Sequence, residues 1–246
     1  MIDLNCDLGE GLNNEHLLMP LISSCNIACG GHAGSIETID KVIQLAQKYH
    51  VKIGAHPSFP DRENFGRKIL DICNDELQES IEDQLKLFKE RTEIQNAEVH
   101  HVKPHGALYN LIAVNREKAE LVVQAIQNVF EHIKMYVPYD SVIEKVAQEN
   151  GLEIVYEAFA DRNYNDDLTL VSRSLPYAVI TDKAKVVEHV KRMFIASKVK
   201  TAQANEQIIK AETFCVHGDN KKAIEILKEL NEEFMSPQAQ SRGLDN

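Results

Sequence analysis

Short apolar runs alternate with longer segments of helical periodicity along most of the chain. Most of the short runs are rich in Val, Ile, Leu or Tyr, which is typical of strands buried on both faces of a sheet. The pattern predicts seven strands, at residues 2–5, 25–28, 51–55, 99–103, 134–137, 153–157 and 214–216.

Helical periodicity occupies many of the intervals between these strands. Apolar residues recur three and four positions apart within 36–46 and within 121–129. Asp75 and Gln78 resemble a capping box at the start of a further helix, and Asp219 is a candidate cap for the last one.

The alternation of strand and helix determines the predicted fold class, which is α/β with a parallel sheet and right-handed crossovers. A chain of 246 residues suits one (β/α) barrel or two small domains. Seven repeats without an evident break favour a barrel, complete or incomplete. We therefore assign residues 1–235 to a single barrel domain and residues 236–246 to a C-terminal tail.

Ionisable and hydrogen-bonding side chains follow the predicted strands. In chain order they are Asp7 and Glu10, then His32, then His56, then Lys103 and His105, then Tyr139 and Asp140, then Glu157, Asp161 and Arg162, and finally His217 and Asp219. The carboxyl ends of the strands carry the active site in (β/α) barrels, so these side chains are expected to converge on one end of the barrel.

The remaining histidines are predicted to have no part in this site. His100 and His101 are neighbours within a strand, where side chains alternate, so at most one points inward, and we interpret both as structural. A further group lies in helices or connections and is predicted to be at the surface: His16, His50, His132 and His189.

The net charge of −11 disfavours binding to nucleic acid and repels small anions. An anionic substrate would therefore need local cations, for which Arg67, Arg162 and Arg173 are candidates. The five scattered cysteines predict buried thiols in a reducing compartment. No signal peptide precedes Ile2 and no apolar run reaches the roughly 20 residues of a membrane span, so a cytoplasmic protein is expected.

The candidate residues are compatible with more than one chemistry. Aspartate with histidine is a common ligand set for Zn²⁺ or another divalent ion, and Asp7, His32 and His56 are the first candidates. The same groups without a metal could perform acid–base catalysis, with Lys103 polarising a carbonyl or holding a carboxylate. The sequence has no G-x-S-x-G, no G-x-x-x-x-G-K-[ST] and no G-x-G-x-x-G motif, so serine-hydrolase, P-loop and dinucleotide sites are unsupported.

Eight segments, in order between residue 2 and about residue 219, resemble the LamB/YcsF family. They are IDLNCDLGEG, SCNIACGGHAG, VKIGAHPSFPD with FGRK, HHVKPHGALYN, EAFADRNY, LVSR and FCVHGD. The chain departs from the family pattern at Ser35, Asn64 and Lys221. The resemblance implies a seven-stranded TIM-like barrel of the glycoside hydrolase/deacetylase type. It also implies ATP-dependent hydrolysis of 5-oxoproline to L-glutamate by a 5-oxoprolinase, with ATP as cosubstrate and the separate B and C subunits as partners.

Position and resemblance together define the predicted site. The residues assigned to catalysis are Asp7, His32, His56, Lys103, His105, Glu157, Asp161 and His217. Those assigned to substrate binding are Glu10, Arg67, Tyr109, Arg162, Arg173 and Asp219. Two alternatives stay open: a metal-dependent amidohydrolase or deacetylase acting on a sugar or small amide, and a non-catalytic subunit that binds substrate.

Overall fold

A computed structural model of the protein describes residues 2–234. Its strands are β1 Asp3–Leu8, β2 Ser24–Ala28, β3 Lys52–His56, β4 Val99–Val102, β5 Lys134–Pro138, β6 Glu153–Phe159, β7 Lys198–Lys200, β8 Glu206–Ile208 and β9 Thr213–Cys215. Strands β1 to β6 and β9 pair in parallel and form a closed barrel, in which β9 lies between β6 and β1. The predicted seven-stranded TIM-like barrel is thereby confirmed, and the predicted tail lies outside the described residues.

The helices surround the barrel. Their bounds are α1 Glu15–Leu18, α2 Ile36–Tyr49, α3 Asn74–Ile94, α4 Gly106–Ile112, α5 Arg116–Val129, α6 Val142–Glu149, α7 Lys183–Ala196 and α8 Ala223–Phe234, with a short 3-10 helix at Met19–Leu21. Each longer helix buries an apolar stripe, such as Ile39, Val42, Ile43 and Ala46 of α2. Ser35 caps α2, because its hydroxyl accepts the Thr38 amide hydrogen.

Two predicted helix caps are wrong. Helix α3 begins at Asn74 with Cys73 as its N-cap and has no side-chain capping bond, so Asp75 and Gln78 lie within its first turns. Helix α8 begins at Ala223, four residues beyond Asp219. Both errors arise because a capping motif is a local signal, whereas the packing of the chain decides where a helix begins.

The strand pattern was incomplete in two respects. Strand β1 continues to Leu8, β3 to His56 and β6 to Phe159, so that Asp7 and His56 belong to the strands instead of following them. Strands β7 and β8 form a separate antiparallel pair that was not predicted. Their residues, KVK and EQI, are short and mostly charged or polar, and they carry no buried-strand signal.

One predicted surface histidine is buried. His189 lies on the inner face of α7 with 7% of its surface exposed, and burial lowers its pKa to about 4. The sequence analysis missed this because histidine is a polar residue and was not counted as part of the apolar stripe of α7. In the structure it lies on that stripe, beside Val186, Val190 and Met193. Among residues 2–234, no helix combines the length and the apolar character that crossing a membrane requires.

A polar network occupies the inside of the barrel below the carboxyl ends of the strands. Asn26 donates to Asn5 Oδ1 at 2.9 Å and to Asp7 Oδ1 at 2.8 Å. His101 bonds to Asn26 through Nε2 at 2.7 Å and stacks on Tyr136 with ring centroids 3.8 Å apart. His101 therefore helps to hold Asn26, and through it Asp7, in position.

Candidate active site

A cavity of about 730 Å³ opens at the carboxyl ends of the barrel strands. It is lined by every predicted site residue except His32 and Asp161. Those two are buried behind the lining, where they bond to Glu10 and His217, respectively. The closed barrel thus brings together residues that lie as far apart in the chain as Asp7 and Asp219.

Lys103, which directly follows β4, occupies the centre of the cavity floor. Its ammonium lies 2.8 Å from Glu157 Oε1 and 3.0 Å from Asp7 Oδ1, and 3.2 Å from the Cys215 sulfur. Burial by itself would lower the pKa of Lys103, but the adjacent carboxylates of Asp7 and Glu157 raise it well above its usual value. The lysine is therefore a fixed cation that joins β1 to β6 through two buried ion pairs.

Four side chains at or after the carboxyl ends of β1 to β4 form a second feature, the histidine cluster, consisting of Glu10, His32, His56 and His105. Glu10 Oε1 lies 3.1 Å from His32 Nε2, 3.2 Å from His105 Nδ1 and 3.9 Å from His56 Nε2. The rings of His32 and His105 are parallel, with centroids 3.7 Å apart. Burial lowers the pKa of His32 to about 4 and also lowers the pKa of His105.

Backbone carbonyls determine which nitrogens of the cluster carry hydrogens. His56 Nδ1 lies 2.6 Å from the Lys103 carbonyl oxygen, and His105 Nε2 lies 3.0 Å from the Phe65 carbonyl oxygen. A carbonyl oxygen only accepts, so each of these nitrogens must be the donor. The remaining nitrogens, His56 Nε2 and His105 Nδ1, face each other at 3.0 Å.

Phe65 and Gly66 position this cluster, and the sequence analysis did not identify them as site residues. Both have left-handed backbone conformations, with φ of 56° and 62°. A Cβ at residue 66 would lie 2.9 Å from His32 Cβ and 3.0 Å from His105 Cδ2, so only glycine fits. The FGRK segment was a usable signal, because a glycine beside candidate site residues often marks a close approach of the backbone.

Asp161 and His217, after β6 and β9, form a dyad. His217 Nδ1 lies 2.7 Å from Asp161 Oδ1, and Asp161 Oδ2 accepts from the His217 amide at 3.2 Å and from Asn220 Nδ2 at 2.9 Å. Burial would raise the pKa of Asp161, but His217 and these hydrogen bonds hold it below its usual value. Because Nδ1 is committed to Asp161, Nε2 is the nitrogen of His217 that is available to act on a ligand.

Two arginines share one carboxylate at the mouth of the cavity. Asp219 Oδ2 lies 2.5 Å from Arg67 Nη2 and 2.9 Å from Arg173 Nη1. The Arg67 guanidinium also lies over the Phe65 ring, 4.8 Å from its centroid. Two cations on one anion leave a net positive charge, so the mouth is locally attractive to anions although the whole chain is acidic.

Arg162, the third predicted anion-binding arginine, is mostly engaged by the protein. Its Nε donates to the Ala178 carbonyl at 3.1 Å and its Nη2 to the Val171 carbonyl at 2.6 Å. Burial lowers its pKa to about 10. Its main visible effect is to hold the segment around Val171 against the cavity.

Tyr109 lines the cavity, and Cys215 is buried beside Lys103. The Tyr109 hydroxyl is buried beside Glu157 but makes no hydrogen bond of ordinary geometry within residues 2–234, and burial together with the Glu157 carboxylate raises its pKa. Burial likewise raises the pKa of Cys215, so its sulfur is a thiol beside Lys103. Cys215 was treated only as a buried thiol in the sequence analysis, although its position two residues before His217 in FCVHGD was a signal.

Two groups of side chains have the composition and spacing of metal ligands. The ligand atoms of Glu10, His32, His56 and His105 lie within 4.8 Å of one another. Asp7 falls into the other group, with Cys215 and His217. Of the three residues predicted as a metal site, Asp7 and His56 are adjacent, with Asp7 Oδ2 3.5 Å from His56 Nε2. His32 falls into the first group, where Glu10 and His105 lie beside the two histidines.

The fold and the cavity define the class of the molecule as a (β/α) barrel with a polar cavity at the carboxyl ends of its strands, the usual place of the active site in such barrels. The family model described as "LamB/YcsF family" matches residues 2–246. The chain belongs to the LamB/YcsF family, as the sequence motifs predicted.

Relatives match over nearly the full chain. The A subunit of 5-oxoprolinase from Staphylococcus aureus (strain Newman) is 38% identical over 239 residues, which cover 95% of this chain and 96% of that protein. The crystal structure of the lactam utilization protein from Thermus thermophilus has 32% identity and a TM-score of 0.87, covering 94% of this chain and 96% of that one.

A more distant similarity concerns the fold alone. A GH113 β-1,4-mannanase has a TM-score of 0.51 at 10% identity, covering 94% of this chain and 98% of its own. This likeness supports the barrel architecture and carries no information about substrate.

Proposed function

We propose that the chain is the A subunit of an ATP-dependent 5-oxoprolinase, which hydrolyses 5-oxoproline to L-glutamate together with the B and C subunits. The observation that carries this proposal is the 38% identity, over 95% of the chain, to a protein named as the A subunit of 5-oxoprolinase. The name of the Thermus thermophilus neighbour, a lactam utilization protein, agrees with a cyclic amide as substrate.

The charges at the mouth suit this substrate. 5-Oxoproline carries one carboxylate, and Arg67 and Arg173 together supply one positive charge more than Asp219 neutralises. Arginine forms paired hydrogen bonds to carboxylates, which fixes orientation as well as affinity. The substrate carboxylate is therefore bound at the mouth, with the lactam ring directed towards the floor.

The floor offers partners for the lactam group. A lactam has a cis amide, with a donor N–H and an acceptor C=O on the same edge. Glu157 can accept from the N–H, and the adjacent Tyr109 hydroxyl can donate to the C=O. Placing both amide groups against fixed partners selects a small cyclic amide over an extended peptide, which has trans amides.

His217 is the proposed base that activates water. Its Nε2 is free of the bond to Asp161, whereas the inner nitrogens of His56 and His105 face each other. Asp161 keeps the imidazole in one orientation and stabilises the imidazolium that forms when His217 takes a proton. The water oxygen then bonds to the lactam carbon, and the released proton is held on His217 until the ring nitrogen departs.

ATP makes the amide reactive enough for this step. An amide carbonyl is a poor electrophile, and phosphorylation of the lactam oxygen by ATP makes the ring carbon reactive towards water. When the ring nitrogen departs with the proton from His217, the product is an acyl phosphate. A second water hydrolyses this acyl phosphate and releases phosphate and L-glutamate. The sequence lacks a P-loop motif, so we propose that the partner subunits contribute to nucleotide binding. The present chain holds the lactam or its activated form and presents the water.

Reconstitution tests the proposal directly. The three purified subunits are mixed with ATP and 5-oxoproline, glutamate is measured, and each subunit or ATP is then omitted in turn. We expect glutamate only from the complete mixture. Glutamate from this chain alone without ATP, or none from the complete mixture, would contradict the assignment.

The same assay separates catalysis from substrate binding alone. His217→Asn is compared with His132→Gln, which changes an exposed histidine outside the cavity. A non-catalytic subunit would let His217→Asn reach the wild-type rate at saturating 5-oxoproline, whereas a catalytic subunit would not.

A second candidate is a hydrolase that cleaves a sugar amide or small amide without ATP. The observation that favours it is the histidine cluster, whose imidazoles and carboxylate resemble the ligand sets of metal hydrolases. Turnover of an amide by the isolated chain with a stoichiometric metal, and no effect of ATP, would select this candidate.

A further inference from the structure

The histidine cluster contains more acceptors than hydrogens. The inner nitrogens of His56 and His105 both present lone pairs at a separation of 3.0 Å, because their outer nitrogens donate to backbone carbonyls. Glu10 Oε1 is a third acceptor, 3.2 Å from His105 Nδ1. His32 can offer one hydrogen, from Nε2 to Glu10 at 3.1 Å. Three buried acceptors that face one another require a positive charge between them.

The surrounding charges strengthen this requirement. Four carboxylates lie around the floor of the cavity: Asp7, Glu10, Glu157 and Asp161. The ammonium of Lys103 is already shared between two of them, and Asp161 is bonded to His217. Glu10 therefore has only imidazoles as partners and no permanent cation. The arginines at the mouth are bound to Asp219 and do not neutralise it.

A proton satisfies the cluster poorly. It would have to create an imidazolium in a place where the side chains of His32, His56 and His105 are 0%, 1% and 7% exposed, and burial disfavours the charged form. A single proton also bridges only two of the acceptors. A divalent ion supplies twice the charge and bonds to several acceptors at once.

The spacing and the supporting bonds fit a metal. Ligand atoms around a tetrahedral Zn²⁺ with bonds of about 2.05 Å are separated by about 3.3 Å, and the separations here include 3.0, 3.1, 3.2 and 3.9 Å. Metal-binding histidines characteristically donate their other N–H to a carbonyl or carboxylate. His56 and His105 do so to the carbonyls of Lys103 and Phe65.

We propose that Glu10, His32, His56 and His105 bind a first-row divalent metal ion, with Zn²⁺ the leading choice. Three imidazoles and one carboxylate suit Zn²⁺ and its transition-metal neighbours better than Mg²⁺ or Ca²⁺, which prefer oxygen ligands. For both to reach one ion, the parallel rings of His32 and His105 must tilt, and His32 must carry its hydrogen on Nδ1 instead of Nε2. Glu10, His56 and His105 line the cavity, so the ion faces the ligand that the cavity holds.

The proposal is tested by metal content, which does not depend on the reaction. Full-length protein is stripped with a chelator, dialysed, reloaded with Zn²⁺ and analysed by elemental mass spectrometry, and the affinity is measured by competition with a chromophoric chelator. Loading with Co²⁺ gives an absorption spectrum that reports nitrogen and oxygen ligands. We expect stoichiometric binding by the wild type and a loss of affinity of more than about 100-fold in Glu10→Gln, His56→Asn and His105→Asn, because even supporting residues are typically worth about 10–100-fold.

His217→Asn is the matched control, because it removes a histidine from the same cavity but from outside the cluster. We expect the His217→Asn variant to retain the ion. Circular dichroism of every variant identifies any that fail to fold. If a cluster variant does not fold, its affinity cannot be compared with that of the wild type, and the Tm of the wild type is measured with and without Zn²⁺ instead. An unchanged Tm opposes the proposal. Absence of binding to the wild type, or loss of the ion from His217→Asn but not from His56→Asn, overturns it. A protein that binds metal but does not process 5-oxoproline would reject the proposed function and leave the metal site intact.

Discussion

The two sides of the cavity use histidine differently. On the side built by β1 to β4, three imidazoles and Glu10 face inward and contact one another. On the side built by β6 and β9, His217 bonds to Asp161 through Nδ1 and lines the cavity without another imidazole as a hydrogen-bond partner. His56, His105 and His217 each have one ring nitrogen bonded outward to an acceptor, so the difference between them lies in what the second nitrogen meets. Lone pairs that converge suit a cation, whereas a lone pair with free space before it suits proton transfer.

The largest expected effect tests the assignment of proton transfer to the β6 and β9 side. In the reconstituted enzyme, His217→Asn should lower the rate of glutamate formation by about 10²–10⁴, the usual contribution of a general acid or base. The rate at saturating 5-oxoproline is the measurement, with His132→Gln as the control. An unchanged rate would return the role of base to the histidine cluster.

The next effect concerns the residue that joins the two sides. Lys103→Met preserves much of the side-chain length but leaves Asp7 and Glu157 buried without their cation. Removing one partner of a buried ion pair typically costs about 3–5 kcal/mol, and we expect a loss of that size in the free energy of unfolding, measured with urea. Adding Glu157→Gln to Lys103→Met should recover part of the loss. A change of less than about 0.5 kcal/mol, as for an ordinary surface substitution, would show that the two sides are not coupled through Lys103.

A third prediction concerns the helix behind the second side. Burial lowers the pKa of His189 to about 4 from an ordinary value of 6.5, so the unfolded chain binds this proton more tightly than the folded protein. The stability contributed by the neutral imidazole is complete above pH 6.5 and is lost as the pH falls towards 4, by a total of about 3 kcal/mol.

Urea unfolding at a series of pH values measures this dependence. The difference between wild type and His189→Gln should decrease by that amount as the pH falls from 6.5 to 4, because only the wild type loses this contribution. His132→Gln should follow the wild type. Parallel curves for wild type and His189→Gln would indicate that the imidazole is not held neutral.

The smallest expected effect tests whether the two sides meet at the mouth. Arg67 precedes α3 on the first side and Arg173 follows β6 on the second, and both bond to Asp219. We expect Arg67→Gln and Arg173→Gln each to raise the KM for 5-oxoproline about tenfold. This corresponds to the low end of the free energy of a hydrogen bond to a charged group, because each arginine is partly exposed to solvent. The rate at saturation should change little. A lowered kcat with an unchanged KM would place the substrate carboxylate elsewhere.

Much of this arrangement was predictable from local patterns. Buried-strand runs followed by Asp7, His56 or His217 indicated a parallel barrel with polar residues at one end, because strand periodicity and the direction of parallel strands are properties of short segments. The strands β7 and β8 escaped prediction because they are three residues each and carry no apolar signal. His189 was misplaced because burial depends on what packs against a helix face.

The residues that order the site were harder to identify. Phe65 acts through a backbone carbonyl and Gly66 through the absence of a side chain, and neither property distinguishes them from other loop residues in sequence. Glu10 was predicted to bind substrate, and its position between His32 and His105 depends on the conformation of the loop after β1. Asp161 and His217 are 56 positions apart, and only the pairing of β6 with β9 brings them together.

The amino-acid sequence by itself determined the type of fold and the chemical groups that reach the end of the barrel, since both follow from periodicity and from the order of residues along short segments. The tertiary structure alone decided which of those groups meet and which atom of each remains free. The physical reason is that an imidazole acquires its role from the partner of its other nitrogen. For His56, His105 and His217 that partner comes from a distant part of the chain, whether a backbone carbonyl or the carboxylate of Asp161.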